Sequence, residues 1–125
     1  MKWDIAVDKM DRKRELKEQY KQMKADMGII IVQNKSNNKY ILVTSQNLGG
    51  MVNRLRFQLN FGGYTCIDLQ KEWKELGEGG FNIKILEKLD YDKDESKTDY
   101  SEELGIMELM WTEKLTAENM VSYNK

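Results

Sequence analysis

The stretch from Gly28 to Leu59, GIIIVQNKSNNKYILVTSQNLGGMVNRLRFQL, constrains the fold more than any other part of the chain. Gly28 opens an apolar run that ends at Val32, and Tyr40 to Thr44 runs apolar again. Between them lies the polar passage from Asn34 to Lys39, rich in the Asn and Ser residues that suit a tight reversal. This pattern predicts a β-hairpin. Asn47 then offers a side-chain oxygen as a helix N-cap, and Leu48, Val52, Leu55 and Leu59 recur at spacings of four, three and four. A helix with one apolar face follows the hairpin, and its stripe and the hairpin's inner face need a shared core. Ile30, Ile41 and Leu48 are expected to be buried together.

A chain of 125 residues is long enough to bury one core without staples. No apolar run approaches the ~20 residues needed to cross a bilayer, so no membrane partner is expected. The opening MKWDIAVDKMDRK has neither the apolar core nor the small-residue cleavage site of a secretory signal. With a single cysteine, Cys66, no internal disulfide can form, and a cytoplasmic location is the expectation. The chain has no histidine, which removes the commonest general base, most zinc sites and every Cys-His or Ser-His pair.

Net charge is −1, yet its distribution is uneven. Residues 9–24 hold seven Lys or Arg against three Asp or Glu, whereas residues 87–118 hold four against eleven. The segment 9–24, KMDRKRELKEQYKQMK, reads as a helix with Leu16, Tyr20 and Met23 on one face. Its basic residues Arg12, Lys13 and Lys17 form a candidate phosphate-tracking patch, set against the blander reading of a solvated helix. Residues 1–27 are therefore expected to be a basic helical extension, and 28–125 the domain proper.

Beyond the first helix, Gly62 and Gly63 mark a turn, and Leu69, Trp73 and Leu76 predict a second helix ending at Gly77. FNIKILEK over 81–88 alternates as a half-buried strand with Phe81, Ile83 and Ile85 on one face. The acidic run from Tyr91 to Thr98 lacks the calcium-loop pattern and reads as a solvated connector. Thr98 or Ser101 can cap a last helix reaching about Leu115, with Leu104, Met107 or Glu108, Trp111 and Leu115 along one face. Glu108 interrupts that stripe. A buried carboxylate there would need a partner or a cation.

Gly28-Ile29-Ile30, Asn37-Asn38-Lys39 and Ile41-Leu42-Val43, followed by the capped helix, fall in the order of strand, turn, strand and helix. Together with Glu108-Leu109-Met110-Trp111 and Tyr123-Asn124, they resemble the GIY-YIG nuclease family over about residues 28–124. The resemblance implies an α/β fold with a small three-stranded, mainly antiparallel sheet flanked by helices, here preceded by an extra N-terminal helix. In that family paired tyrosines handle the attacking water, an arginine neutralises the scissile phosphate, and a glutamate holds a divalent cation. Laid without gaps, the tyrosine positions are occupied by Ile30 and Ile41, and the arginine position by Met51. Isoleucine and methionine can neither move a proton nor neutralise charge.

What survives is Glu108, the implied ligand for Mg2+, and Asn124. A one-residue shift would bring Tyr40 to the second tyrosine's position, though on the other face of its strand. Arg54 and Arg56 lie one turn or more beyond the arginine position. Three functions remain open at this point. The chain is read first as a nuclease-like domain without phosphodiester hydrolysis, binding nucleic acid through Arg12, Lys13, Lys17, Arg54 and Arg56 or serving as an interaction module. The second is a metal-dependent DNA endonuclease using Tyr40, Arg54 or Arg56 in displaced roles. The third is a protein-interaction scaffold that touches no nucleic acid.

Overall fold

A computed structural model of the chain describes residues 12–13 and 24–123. Most of the expected N-terminal helix, Lys17 included, and Asn124 lie outside the described residues. Arg12 and Lys13 lie within them, helical and exposed.

Strand β1 (Met27–Asn34) pairs antiparallel with β2 (Lys39–Ser45), with Ile30 opposite Val43 and Val32 opposite Ile41. The turn between them is held by its asparagines. Asn34 Oδ1 accepts from the backbone nitrogen and the hydroxyl of Ser36, and Asn37 Oδ1 accepts from Lys39 N at 3.0 Å. Asn38 takes the left-handed conformation at φ 59°, which asparagine tolerates better than most residues. β1 is the buried centre of the sheet. Its alternate residues feed two separate cores, which is why its sequence is apolar almost without interruption.

Helix α1 (Leu48–Phe61) begins as expected, with the Asn47 side chain accepting from Gly50 N at 3.1 Å. It ends at Gly62, φ 86°. Helix α2 (Ile67–Leu76) follows and stops at Gly77, and a 3-10 turn over Glu78–Gly80 leads into β3 (Phe81–Leu89). β3 runs antiparallel to β1 on the side away from β2. Helices α1 and α2 cover one face of the sheet, where Ile30, Val32, Ile41, Leu48, Leu55, Leu59, Leu69, Trp73 and Phe81 form one core. The joint burial of Ile30, Ile41 and Leu48 is thereby observed. Helix α3 (Ser101–Ala117) covers the opposite face through Leu104, Met107, Trp111 and Leu115, against Met27, Ile29, Ile31, Tyr40 and Leu42.

Four expectations are corrected. The sheet has four strands, in the order β3-β1-β2-β4, because β4 (Val121–Ser122) adds to β2 in parallel at Lys39 and Tyr40. The chain reverses after α3 through Asn119 at φ 65°, and Tyr123 N then donates to Tyr40 O at 2.8 Å. Ile85 does not share the burial of Phe81 and Ile83. The pairing of β3 with β1 jumps from Glu87 opposite Ile29 to Ile85 opposite Ile30, leaving Leu86 as an extra residue that packs on the α3 side while Ile85 is exposed. Neither Thr98 nor Ser101 caps α3; Tyr100 stands at the N-cap with no side-chain cap bond, and Asp99 before it closes an Asx turn, accepting from Ser101 N at 3.0 Å and its hydroxyl at 2.7 Å. The same bonds hold the Asp99 carboxyl below the usual carboxylate range. Glu108, finally, is not part of the buried stripe; Met107 faces the sheet and Glu108 is exposed.

Gly28 has a specific task at the irregularity in β3. A Cβ there would lie 2.1 Å from the Glu87 carbonyl oxygen and 2.8 Å from Lys88 Cα. The β1 and β3 backbones approach this closely only because no side chain intervenes.

Candidate functional site

The positions marked by the hairpin and first helix converge in space. Ile30 on β1 and Ile41 on β2 project to the same sheet face and are fully buried. Met51, in the first turn of α1, is half-buried and packs against the same cluster, as do Val43, Val52, Tyr64 and Cys66. The arrangement is a filled apolar space, closed by helix α1 on the sheet. It offers no hydroxyl, guanidinium or carboxylate from any of those three positions.

The proposed substitutes lie elsewhere. Tyr40 is buried on the opposite face in the α3 core, one strand residue out of phase with Ile41, as the alternation of a strand demands. Arg54 is exposed on α1, and the exposed Arg56 Nε stands 3.2 Å from Glu78 Oε1. Glu108 sits on α3, across the sheet from Ile30 and Ile41, and its backbone carbonyl accepts from the Thr112 hydroxyl at 2.8 Å. Among the described residues no three His, Cys, Asp or Glu side chains gather as a metal site would require. A lone exposed carboxylate does not make a preformed Mg2+ site, so the residues present do not fit a resident cation.

Two tyrosine hydroxyls approach the α1–α2 side. Burial raises the Tyr64 phenol above its ordinary pKa, with the neighbouring Cys66 adding to the effect. Tyr123, beyond β4, receives a hydrogen bond from the buried Asn34 amide at 3.2 Å. Its pKa is pushed strongly upward, first by burial and then by hydrogen bonding to Glu72. Glu72 on α2 accepts from the Asn37 amide at 2.7 Å through Oε1. Its Oε2 is sealed from solvent and makes no well-formed hydrogen bond among the described residues, which leaves the adjacent Tyr123 hydroxyl as the donor at hand. Both phenols are thus held protonated, able to donate hydrogen bonds and unsuited to take a proton from water near neutral pH. The sequence reading named Tyr123 but missed Asn34 and Glu72. These three residues are far apart in the chain, and no local spacing links them.

No family model matches the chain, and no curated protein does. Two solved structures do match in fold. The catalytic domain of the homing endonuclease I-TevI is similar with a TM-score of 0.60 and 23% identity, over 79% of this chain and 99% of that one. A glutamate-to-alanine mutant of the same catalytic domain matches with a TM-score of 0.58 and 23% identity, over 77% of this chain and 90% of that one. The chain therefore has a GIY-YIG-like fold.

Proposed function

We propose that this chain is a nuclease-like domain that does not hydrolyse phosphodiesters and acts by binding, as a nucleic-acid-binding or interaction module. The observation that carries the reading is the packed apolar cluster at Ile30, Ile41 and Met51. Phosphodiester hydrolysis places negative charge on oxygens and requires a proton to leave the attacking water. A cation or guanidinium at the phosphate and a base near the water supply what is needed. Removing one charge-stabilising donor costs on the order of 10² to 10³ in rate, and removing a general base about 10² to 10⁴. Even with strong non-additivity, little acceleration remains when all three positions are apolar.

The nucleic-acid form of the reading rests on Arg12, Lys13 and Lys17, with Arg54 and Arg56 on α1. Its test is the dependence of binding on salt. If the basic segment tracks phosphates, replacing Arg12, Lys13 and Lys17 with Ala lowers the slope of log affinity against log salt by up to about three. A specific observation favours the scaffold form as a second reading. Phe57 and Phe61 stack on each other at 5.1 Å on the exposed side of α1, and the chain's net charge is −1. The absence of retention on a polyanion column at low salt selects it.

The hydrolytic question is settled by incubating the purified chain with DNA and Mg2+ or Mn2+, beside Glu108→Gln. No cleavage above background is expected from either protein. Metal-dependent cleavage that Glu108→Gln abolishes would overturn the reading and establish a metal-dependent endonuclease.

A further inference from the structure

Helix α1 carries no acidic residue along its length, in a chain whose net charge is −1. Its solvent side is formed by Asn53, Arg54, Phe57, Asn60 and Phe61, which recur three and four residues apart and so share one face. Phe57 and Phe61 are 65% and 79% exposed, and their rings stack on each other at 5.1 Å with 24° between the planes. Neither ring belongs to the core under α1.

Beside Phe61 a hollow of about 320 Å³ opens between α1 and α2, bordered by Asn60, Phe61, Gln70, Trp73, Lys74 and Gly77. Gln70 is fixed at both ends of its amide, accepting from Tyr64 N at 2.9 Å and donating to Leu59 O at 2.8 Å. Trp73 Nε1 donates to Asn60 Oδ1 at 2.9 Å, which orients the Asn60 amide and leaves its nitrogen to donate. Two cations flank these surfaces. Arg54 lies one turn before Phe57, and Lys74 borders the hollow. Among the described residues neither makes an ion pair, whereas Arg56 is engaged by Glu78 at 3.2 Å.

We propose that this face of α1 and the adjoining hollow hold single-stranded nucleic acid, with bases stacked on Phe57 and Phe61 and phosphates met by Arg54 and Lys74. The proposal rests on the nucleic-acid form of the reading above and names the strand it takes. An aromatic ring accepts any unpaired base on its π face, and a basic group beside it meets the backbone. Paired bases hide those faces in their own stack, so two exposed rings select a single strand over a duplex. Stacking and phosphate contacts do not read the 2′-hydroxyl, and DNA and RNA strands are both accepted. A protein partner fits this face less well. Interface cores are depleted in charge, whereas these rings are surrounded by Asn53, Arg54 and Asn60.

The test is the fluorescence anisotropy of a labelled oligothymidylate and a labelled oligouridylate, each of about 16 nucleotides, titrated with the full chain at low salt. Both strands should bind, and Phe57→Ala and Phe61→Ala should each weaken binding by about fivefold or more. Phe57→Leu/Phe61→Leu keeps the apolar bulk but removes the π faces, and should weaken it as well. Arg54→Gln should lower the slope of log affinity against log salt by about 0.7. Because both rings are exposed, the phenylalanine variants should melt within about 2 °C of the unmodified chain. Single-strand binding that survives in all the phenylalanine variants, or that the leucine pair retains in full, would overturn the inference while leaving nucleic-acid binding to the other basic residues. The absence of any binding by the unmodified chain, to these strands or to a duplex, would overturn the nucleic-acid reading itself and assign the two rings to the scaffold.

Discussion

Placing a tyrosine at Ile30 tests whether the apolar cluster is a filled core or a cleft that accepts polar groups. Ile30 is fully buried between β2, β3 and the α1–α2 layer. Ile30→Tyr adds a ring and a hydroxyl where the packing leaves no solvent contact. Overpacking costs about 1 to 3 kcal/mol, and a buried hydroxyl without a partner about 1 to 3 kcal/mol more. The sum is about 2 to 6 kcal/mol. For a chain of this size each kcal/mol lowers Tm by roughly 3 to 5 °C. A fall of about 6 °C or more in a thermal melt followed by circular dichroism is therefore expected. Ile67→Tyr, at an exposed residue in the first turn of α2, is the control and should change Tm by no more than about 2 °C. If Ile30→Tyr melted within about 2 °C of the unmodified chain, the phenol would have found solvent or a partner. The filled-core argument, and with it the main support for a non-hydrolytic role, would then fail.

Gly28→Ala should cost about 3 kcal/mol in urea unfolding, because its Cβ would strike the Glu87 carbonyl and Lys88 Cα, which are backbone atoms that cannot swing aside. A loss under about 1 kcal/mol would show that β3 can retreat at its irregularity. Stability should also fall in acid. The Asp94, Asp99 and Glu103 carboxyls lie below their ordinary range in the fold, chiefly through hydrogen bonds from Ser96, Ser101 and Lys97 respectively. Their contribution is present above the unfolded-state values near roughly pH 4 and is lost as pH falls through the folded values. Asp99→Asn should flatten the decline of Tm below about pH 5, and an unchanged slope would show that the Asp99 turn carries none of it.

The parts of the fold legible in the sequence were those governed by near neighbours. The short apolar runs of β1 and β2, the asparagines of the turn and the Asn47 cap are all local, and the hairpin and α1 stand where they point. Strand β4 is two residues long, too short to carry any period, and exists because the chain leaving α3 meets the edge of β2. Glu108 illustrates a different limit. Met107 and Glu108 flank the axis of the α3 stripe on either side, and the approach of the helix to the sheet decides which one is buried. The extra residue at Leu86 is likewise invisible to a strict alternation. At the candidate site, the ungapped alignment brought Ile30, Ile41 and Met51 to one cluster, whereas the group of Asn34, Glu72 and Tyr123 arises only from tertiary contact.

The central place of β1 also orders the assembly of the domain. Its contact with β2 closes a loop of a few residues, while its contact with β3 joins positions as far apart as Met27 and Leu89. Loop-closure entropy grows as the logarithm of length, so the second pairing costs about 2 kcal/mol more than the first before any side chain is buried. The hairpin and the helix it leads into can therefore form as a nucleus from one continuous stretch, 27–61, with Ile30, Ile41, Leu48 and Leu55 already in contact. β3 and α3 then dock onto a surface that exists before they arrive. On this route Ile30 and Ile41, which help to fill the apolar cluster under α1, also guide the folding of the domain.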